Sequence, residues 1–432
     1  MTAEIPFAAT IEKLASSDQK RFLQACRDAA SRLKVPLYLV GGAIRDLLLR
    51  GELIELDLDL VTEGDASALA KEVAHQLQGE LTTHPRFLTA EVVLGGMHLD
   101  FVTARGERYE EPASLPVVSP ADLETDLARR DFSVNSMAVP LWPPGPGELI
   151  DPFAGRHDLE RGQLRVLHER SFFDDPTRIL RGVRIGARLD LHFTEHTADL
   201  ARAAIGADAF APLSATRLRH ELILLLEDRQ VELSLRRLED LGFPAVVGRQ
   251  TPFSDSDWQK LRRVLNLHEE WASDCFAREA TRWWFVSLMS VSCEEDKSSR
   301  EILAHRLGLD EQLSEILEGY PQNLHQVSGI LSAADVAPHD VCGALEGLQM
   351  EELALLAATE EGRVATWISR WMDELRYLGL MIDGTDLKRA GFSAGPEMGR
   401  ALQSTLEARQ DGAIEAAEEL SYAIRQLTRE SG

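Results

Sequence analysis

The chain has 432 residues, a formal net charge of −25 and a pI near 4.9. That length exceeds one ordinary core, so about two to four domains are expected, and 44% hydrophobic with 27% charged residues is a globular composition. No run reaches the roughly 18–20 apolar residues of a membrane span, and Cys26, Cys275, Cys293 and Cys342 are scattered with no Cys-x-x-Cys pair, which argues against a disulfide framework or a zinc site.

The opening residues lack a basic segment followed by an apolar one, so a cytoplasmic location is expected. The acid excess argues against binding a polyanion over the whole surface. Arginine nonetheless gathers between Arg156 and Arg237, and an arginine stripe on an acidic body keeps such a partner open.

Residues 9–33 read as an amphipathic helix with Ile11, Leu14, Phe22, Leu23 and Cys26 on its apolar stripe. Pro36 to Val40 form a short buried strand that ends at Gly41-Gly42, and a helix starts at Ala43. Strand, glycine pair and helix N-terminus make a phosphate cradle: glycine admits a phosphate to the backbone, and first-turn amides point at it. Arg45 adds a forked cationic donor.

In the next segment Leu56, Leu58 and Leu60 alternate with Asp57 and Asp59, the period of a β-strand. Both carboxylates share one face, where their repulsion calls for a cation. Asp65 caps a helix through Gln78, and strands follow over Leu81–His84, Leu88–Leu94 and His98–Ala104, with Gly95-Gly96 as a hairpin turn. Asp100, among Leu99, Phe101 and Val102, is the candidate third acid.

Residues 105–122 lack periodicity and read as a mobile loop. Residues 122–138 read as a helical turn leading into a second helix, Pro140 to Gly147 as turns, and β-signals stop beyond Leu159, where a domain boundary is placed. In 172–188, Asp174 or Asp175 caps a helix with Pro176 in its first turn. Arg178, Arg181 and Arg184 recur every third residue with no acid between them, so a bound anion is expected to supply the counter-charge. Leu213 to Leu222 open a further helix, helices continue to the end, and Trp283-Trp284-Phe285 read as core.

Five segments in order carry a resemblance: Leu39-Val40-Gly41-Gly42-Ala43-Ile44-Arg45-Asp46, Asp57-Leu58-Asp59, Arg129-Arg130-Asp131-Phe132-Ser133-Val134-Asn135, Asp151-Pro152-Phe153, and Asp174-Asp175-Pro176-Thr177-Arg178. They span roughly residues 36–240, about half the chain, and in this order the chain resembles the class II tRNA nucleotidyltransferase and bacterial poly(A) polymerase family.

The resemblance implies an α/β head with a nucleotidyltransferase-type mixed sheet over 1–160. A helical neck over 161–240 and a helical body and tail over 241–432 would follow. It implies addition of CCA, or part of it, to the 3′ end of tRNA from CTP and ATP with Mg2+. Asp57 and Asp59 would bind the metal and Asp100 would be the third carboxylate. Gly42 and Arg45 would hold the triphosphate, and Arg130, with Asp131 and Asn135, would position ribose and phosphates. Asp175 and Arg178 would read the base, while Arg181 and Arg184 steady the nucleotide. The helical C-terminal half would hold the tRNA. No membrane or protein partner is expected.

The family's base-reading motif usually begins with Glu, and here Asp174 takes that place. The form looks like the branch in which CC and A addition are split between enzymes, so an A-only or CC-only adder is the close alternative. A poly(A) polymerase ranks below it, because the acidic chain lacks a basic tail for arbitrary RNA. A non-catalytic RNA-binding relative ranks last, since a binder has no need of the Asp57, Asp59 and Asp100 cluster.

Overall fold

The computed structural model describes residues 11, 15–51, 57–143, 148–243, 249, 251–272, 281–292 and 296–430, except for the side chains of residues 57, 272 and 430. Leu14, Leu56, Cys275, Cys293 and the side chain of Asp57 therefore lie outside the described residues. The chain forms two compact units, Met1–Val246 and Val247–Gly432.

In the first unit α1 (Ser17–Leu33) follows a bend at Ala15, which interrupts the helix expected over 9–33, while Ile11 before it is helical. A reciprocal cap sets the start of α1: Ser16 Oγ accepts from Gln19 N (3.2 Å), and Gln19 Oε1 accepts from Ser16 N (2.8 Å). The chain continues through β1 (Leu37–Val40), α2 (Gly42–Arg50), β2 (Asp57–Thr62) and α3 (Ala66–Leu77). Asp65 caps α3, accepting from the amides of Ser67 and Ala68. Then come β3 (Glu80–His84), β4 (Thr89–Leu94), β5 (Met97–Thr103), β6 (Arg105–Arg108), β7 (Val117–Pro120), α4 (Leu123–Ala128) and β8 (Ala138–Trp142).

Six strands form one sheet in the order β3-β4-β5-β2-β1-β8. Its central pair, β2 and β5, is parallel, and the other pairs are antiparallel. The period-2 alternation sorts the faces. Leu39, Leu58, Leu60, Leu99 and Phe101 join Phe22, Leu23, Leu69 and Val73 of α1 and α3 in one core. Val40, Val61 and Ala138 pack on the other face with Leu123 and Leu127 of α4. Each buried leucine removes apolar area worth about 2 kcal/mol from water, so a one-residue slip of β2 would cost several such terms at once.

Two expectations are corrected. The segment 105–122 carries an antiparallel ribbon, β6 against β7, from Arg105↔Pro120 to Arg108↔Val117. β6 (Arg-Gly-Glu-Arg) mixes charge and glycine and β7 (Val-Val-Ser-Pro) puts its two apolar residues side by side, so neither shows apolar alternation. The helix expected before residue 138 is a single 3-10 turn, Ser133–Asn135. Here Phe132 bridges to Val166 and the Ser133 amide donates to Arg165 O, which draws the backbone out of helical pairing.

Beyond β8 lie α5 (Gly155–Glu160), β9 (Gln163–Leu164), α6 (Ser171–Asp174), α7 (Thr177–Leu189), β10 (His192–Phe193), α8 (Glu195–Gly206), α9 (Ala215–Leu226) and α10 (Val231–Asp240). The two-residue parallel pair β9/β10 lies past Leu159, where strand signals were expected to stop. Asp151 accepts from the amides of Gly155 (2.7 Å) and Arg156 (3.0 Å), so the Asp-Pro-Phe segment works as a cap on α5.

In the second unit the described elements are helical, from Asp255–Ala272 to Glu419–Glu430. Trp284 and Phe285 are buried there, as expected, while Trp283 stacks on His268. Among the described residues no helix is long and apolar enough to cross a membrane.

Candidate active site

A cavity of about 480 Å³ opens in the first unit between the sheet and α7. At its sheet end stands the strand acid Asp59. The β2/β5 register sets Asp59 beside Asp100 and Asp57 opposite His98. Asp59 lines the cavity and is exposed; Asp100 is half-buried and stands next to the lining. Gly41 makes the close approach possible. Its φ is +76°, and a Cβ there would lie 2.9 Å from Asp59 Oδ2 and 3.2 Å from Arg130 Nη1.

Carboxylate oxygens are the donors that hard divalent cations prefer, and Mg2+ is usually held by one or two carboxylates plus substrate phosphates. The strand acids fit that donor set. Among the described residues, no three His, Cys, Asp or Glu side chains form a ready-made metal cage.

The cavity wall is a network of arginines held by buried acids. Arg45 is buried, donating from Nε to Asp46 (2.7 Å) and from Nη1 to Asn135 Oδ1 (2.8 Å). Asp126, fully buried, accepts from Arg129 (2.7 Å) and Arg130 (3.2 Å), which sit three and four residues on. Arg129 also donates to Glu107 of β6 (2.8 Å), whose other oxygen accepts from the Tyr109 hydroxyl (3.0 Å). Burial and the Glu107 charge push the Tyr109 phenol up. Charged groups this buried persist because each is paired.

Asp131 ties the sheet end to α7. Its Oδ1 accepts from Phe132 N (2.8 Å) and Asn135 Nδ2 (3.0 Å), and its Oδ2 faces Arg181 at 3.1 Å. Burial acts to raise the Asp131 carboxyl, but Arg181 and Asn135 outweigh it and hold the group below its usual range. Asp131 in turn raises Arg181.

The α7 arginines, for which a bound anion was expected as counter-charge, meet protein groups as well. Arg178 is buried and donates to Ser171 Oγ (2.8 Å) and Arg129 O (2.7 Å). Arg181 has Asp131, and Arg184 faces Glu221 of α9 at 3.8 Å. Burial lowers Arg184 and raises Glu221. Carboxylates of other elements thus face Arg181 and Arg184, whereas the Arg178 bonds go to neutral oxygens. Asp175 and Arg178, three residues apart, both line the cavity, and Asp175 pairs with Arg217 (2.8 Å).

The cavity thus gathers Gly41, Gly42, Arg45, Asp59, Arg130, Asp131, Asn135, Asp175, Arg178, Arg181 and Arg184. Sequence reasoning missed Arg105, Glu107, Tyr109, Arg129 and Arg188 on the same wall, and Asp126 and Arg217 behind it. A signal existed for Asp126, three and four residues before Arg129 and Arg130 in a helical segment. None existed for Arg217.

Residues 37–165 match the poly A polymerase head domain. An A-adding tRNA nucleotidyltransferase of Halalkalibacterium halodurans is 34% identical over 92% of this chain and 91% of the relative. An A-adding tRNA nucleotidyltransferase of Geobacter sulfurreducens is 32% identical over 91% of this chain, which spans 45% of that longer protein. Among solved structures, a CCA-adding enzyme without ligand superposes with a TM-score of 0.83 at 29% identity, covering 97% of this chain and 98% of the other. A CCA-adding enzyme with ATP gives 0.81 at 27%, covering 99% of each. The Thermotoga maritima CCA-adding enzyme complexed with tRNA gives 0.74 at 28%, covering 97% and 98%. Identity of this degree along nearly the whole chain, on a mixed α/β head followed by helices, places the protein in the class II family of CCA- and A-adding tRNA nucleotidyltransferases, whose chemistry uses a divalent metal.

Proposed function

We propose that this chain transfers AMP from ATP to the 3′ end of tRNA, completing a CC terminus. The carrying observation is the pairing of two unlike ends in one cavity: the strand acid Asp59 beside a bare Gly41 backbone, and the Asp175/Arg178 turn. The A-adding relatives at 34% and 32% identity favour this reading. The similarity to a CCA-adding enzyme with ATP supports full CCA addition from CTP and ATP as the second reading.

In this reading Asp57 and Asp59 hold Mg2+, with Asp100 beside them on β5. The bound metal would neutralise charge on the leaving pyrophosphate and activate the 3′-hydroxyl. Gly41, Gly42, Arg45 and Arg130 receive the triphosphate, while Asp131 and Asn135 orient the ribose. Arg181 and Arg184 steady the nucleotide.

Arg45, Arg105, Arg129, Arg130, Arg178, Arg181, Arg184 and Arg188 line the cavity against the acids Asp59, Glu107, Asp131 and Asp175, a cationic surplus suited to a polyphosphate. Asp175 and Arg178 supply an acceptor and a donor for an exocyclic amine and the neighbouring ring nitrogen, which adenine and cytosine share. Guanine and uracil reverse that polarity and would leave both groups unpaired, at about 1–3 kcal/mol each.

Head, neck and body-with-tail would divide the chain over 1–160, 161–240 and 241–432, in a cytoplasmic enzyme. Supplying tRNAs that end at the discriminator base, at C and at CC, with each labelled nucleotide and Mg2+, tests the activity. AMP transfer to the CC terminus alone is expected. CMP transfer to the shorter ends together with AMP transfer to CC establishes the second reading, and CMP transfer without AMP transfer, or no transfer to any end, refutes both.

A further inference from the structure

Asp175 presents its two oxygens unequally. Oδ1 accepts three bonds, from Thr177 N (3.1 Å), Thr177 Oγ1 (2.6 Å) and Arg217 Nη2 (2.8 Å). Among the described residues Oδ2 accepts none. The second prong of the Arg217 fork, Nη1, donates to Ala113 O (2.9 Å) in the connection between β6 and β7. Ala113, buried with a left-handed φ of 58°, returns its own amide to Asp174 O (3.2 Å). Arg217, Asp175, Asp174 and Ala113 therefore close a ring joining α9, the turn before α7 and the β6–β7 connection.

We propose that Arg217 is a specificity-determining positioning residue, which locks Asp175 by Oδ1 so that Oδ2 alone is left to accept from the incoming base. An unlocked carboxylate rotates about its terminal torsion, which is broad and nearly two-fold, and so presents either oxygen over a range of directions. Discrimination between bases that differ in donor and acceptor polarity needs an acceptor held in one direction. Three donors on one oxygen hold it. Thr177 is a close neighbour of Asp175 and moves with the same turn, so it cannot fix the carboxylate relative to the rest of the wall. Arg217 can, being 42 residues away on α9. Its planar fork also serves two acceptors at once, whereas lysine offers one compact ammonium.

The inference rests on Asp175 as the base reader, so the experiment separates the two. R217Q, R217K, D175A and R217Q/D175A would be compared with wild type, full length, on tRNA ending in CC. The kcat and KM for ATP and for GTP would be measured, with thermal unfolding as a control on folding. R217Q is expected to lower the preference for ATP over GTP by about tenfold or more. Its kcat for ATP should fall less than that preference. R217K should recover only part of the preference, and should R217Q fail to fold, R217K alone carries the test. The double variant should discriminate no worse than D175A.

Wild-type preference in R217Q, or in R217K if R217Q does not fold, with loss in D175A overturns the positioning role and leaves the reading of Asp175 standing. Wild-type preference in D175A overturns both. A double variant worse than D175A shows that Arg217 acts elsewhere, which also overturns the inference.

Discussion

Gly41→Ala tests the sheet end of the cavity most directly. Gly41 has φ +76° and ψ −138°, a region essentially reserved for glycine, and holding another residue there costs about 1–3 kcal/mol. The added methyl would also stand 2.9 Å from Asp59 Oδ2 and 3.2 Å from Arg130 Nη1. Both are ends of side chains, and Asp59 is exposed, so they swing aside rather than shift β2. The stability loss should stay near the backbone cost, a fall in Tm of about 2–4 °C per kcal/mol for a unit of this size. The activity loss should be larger, because misplacing a reacting group by about 1 Å costs on the order of 10²-fold. Gly51→Ala is the matched control: φ is +68°, but nothing lies within 4 Å of the added methyl. It should lose stability of roughly 1–2 kcal/mol with turnover intact. Single-turnover AMP transfer and thermal unfolding would be followed on both variants. Wild-type transfer by Gly41→Ala, or equal losses of transfer in the two variants, would refute the argument that Gly41 is bare to admit Asp59.

Asp57→Ala should abolish transfer while unfolding stays near wild type, and normal turnover at saturating Mg2+ would remove Asp57 from the metal site. Asp131 has a depressed carboxyl pKa in the folded protein, so its pairing contributes stability above the ordinary 3.8 and loses it as pH falls through the lower folded value. Asp131→Asn should therefore flatten the acid limb of the stability–pH curve, measured by urea unfolding between pH 5 and pH 2. An unchanged limb would mean other carboxylates set it. Gly182→Ala puts a methyl 2.4 Å from Phe132 and 2.6 Å from Phe193, rings packed with Phe172. That overpacking should cost about 1–3 kcal/mol in chemical unfolding, and an unchanged midpoint would show that the rings yield freely.

Local chemistry was enough to specify much of the head. The alternation of Leu58 and Leu60 with Asp59 sets a strand and its faces, because side chains of a strand alternate by geometry alone. Asp65 marks the start of α3, since its cap involves residues two and three apart. The triplet spacing of Arg178, Arg181 and Arg184 likewise placed them on one helix. Their partners were a different matter. Arg181 meets Asp131, Arg184 meets Glu221 and Asp175 meets Arg217, while Arg45 reaches Asn135 across 90 residues of sequence. Short-range pattern carries no trace of such pairs, because their geometry exists only once the sheet, α7 and α9 have packed. The β6/β7 ribbon follows the same logic: neither four-residue strand is stable or recognisable alone, and each gains its partner only when the chain between them turns back. The sequence by itself thus placed Gly41, Asp59, Asp175 and the α7 arginines on their elements, but left Arg105, Glu107, Arg129 and Arg188 of the same wall unread. Tertiary packing decided how those charges are neutralised, because a buried ion is stable only where a distant partner is delivered to it.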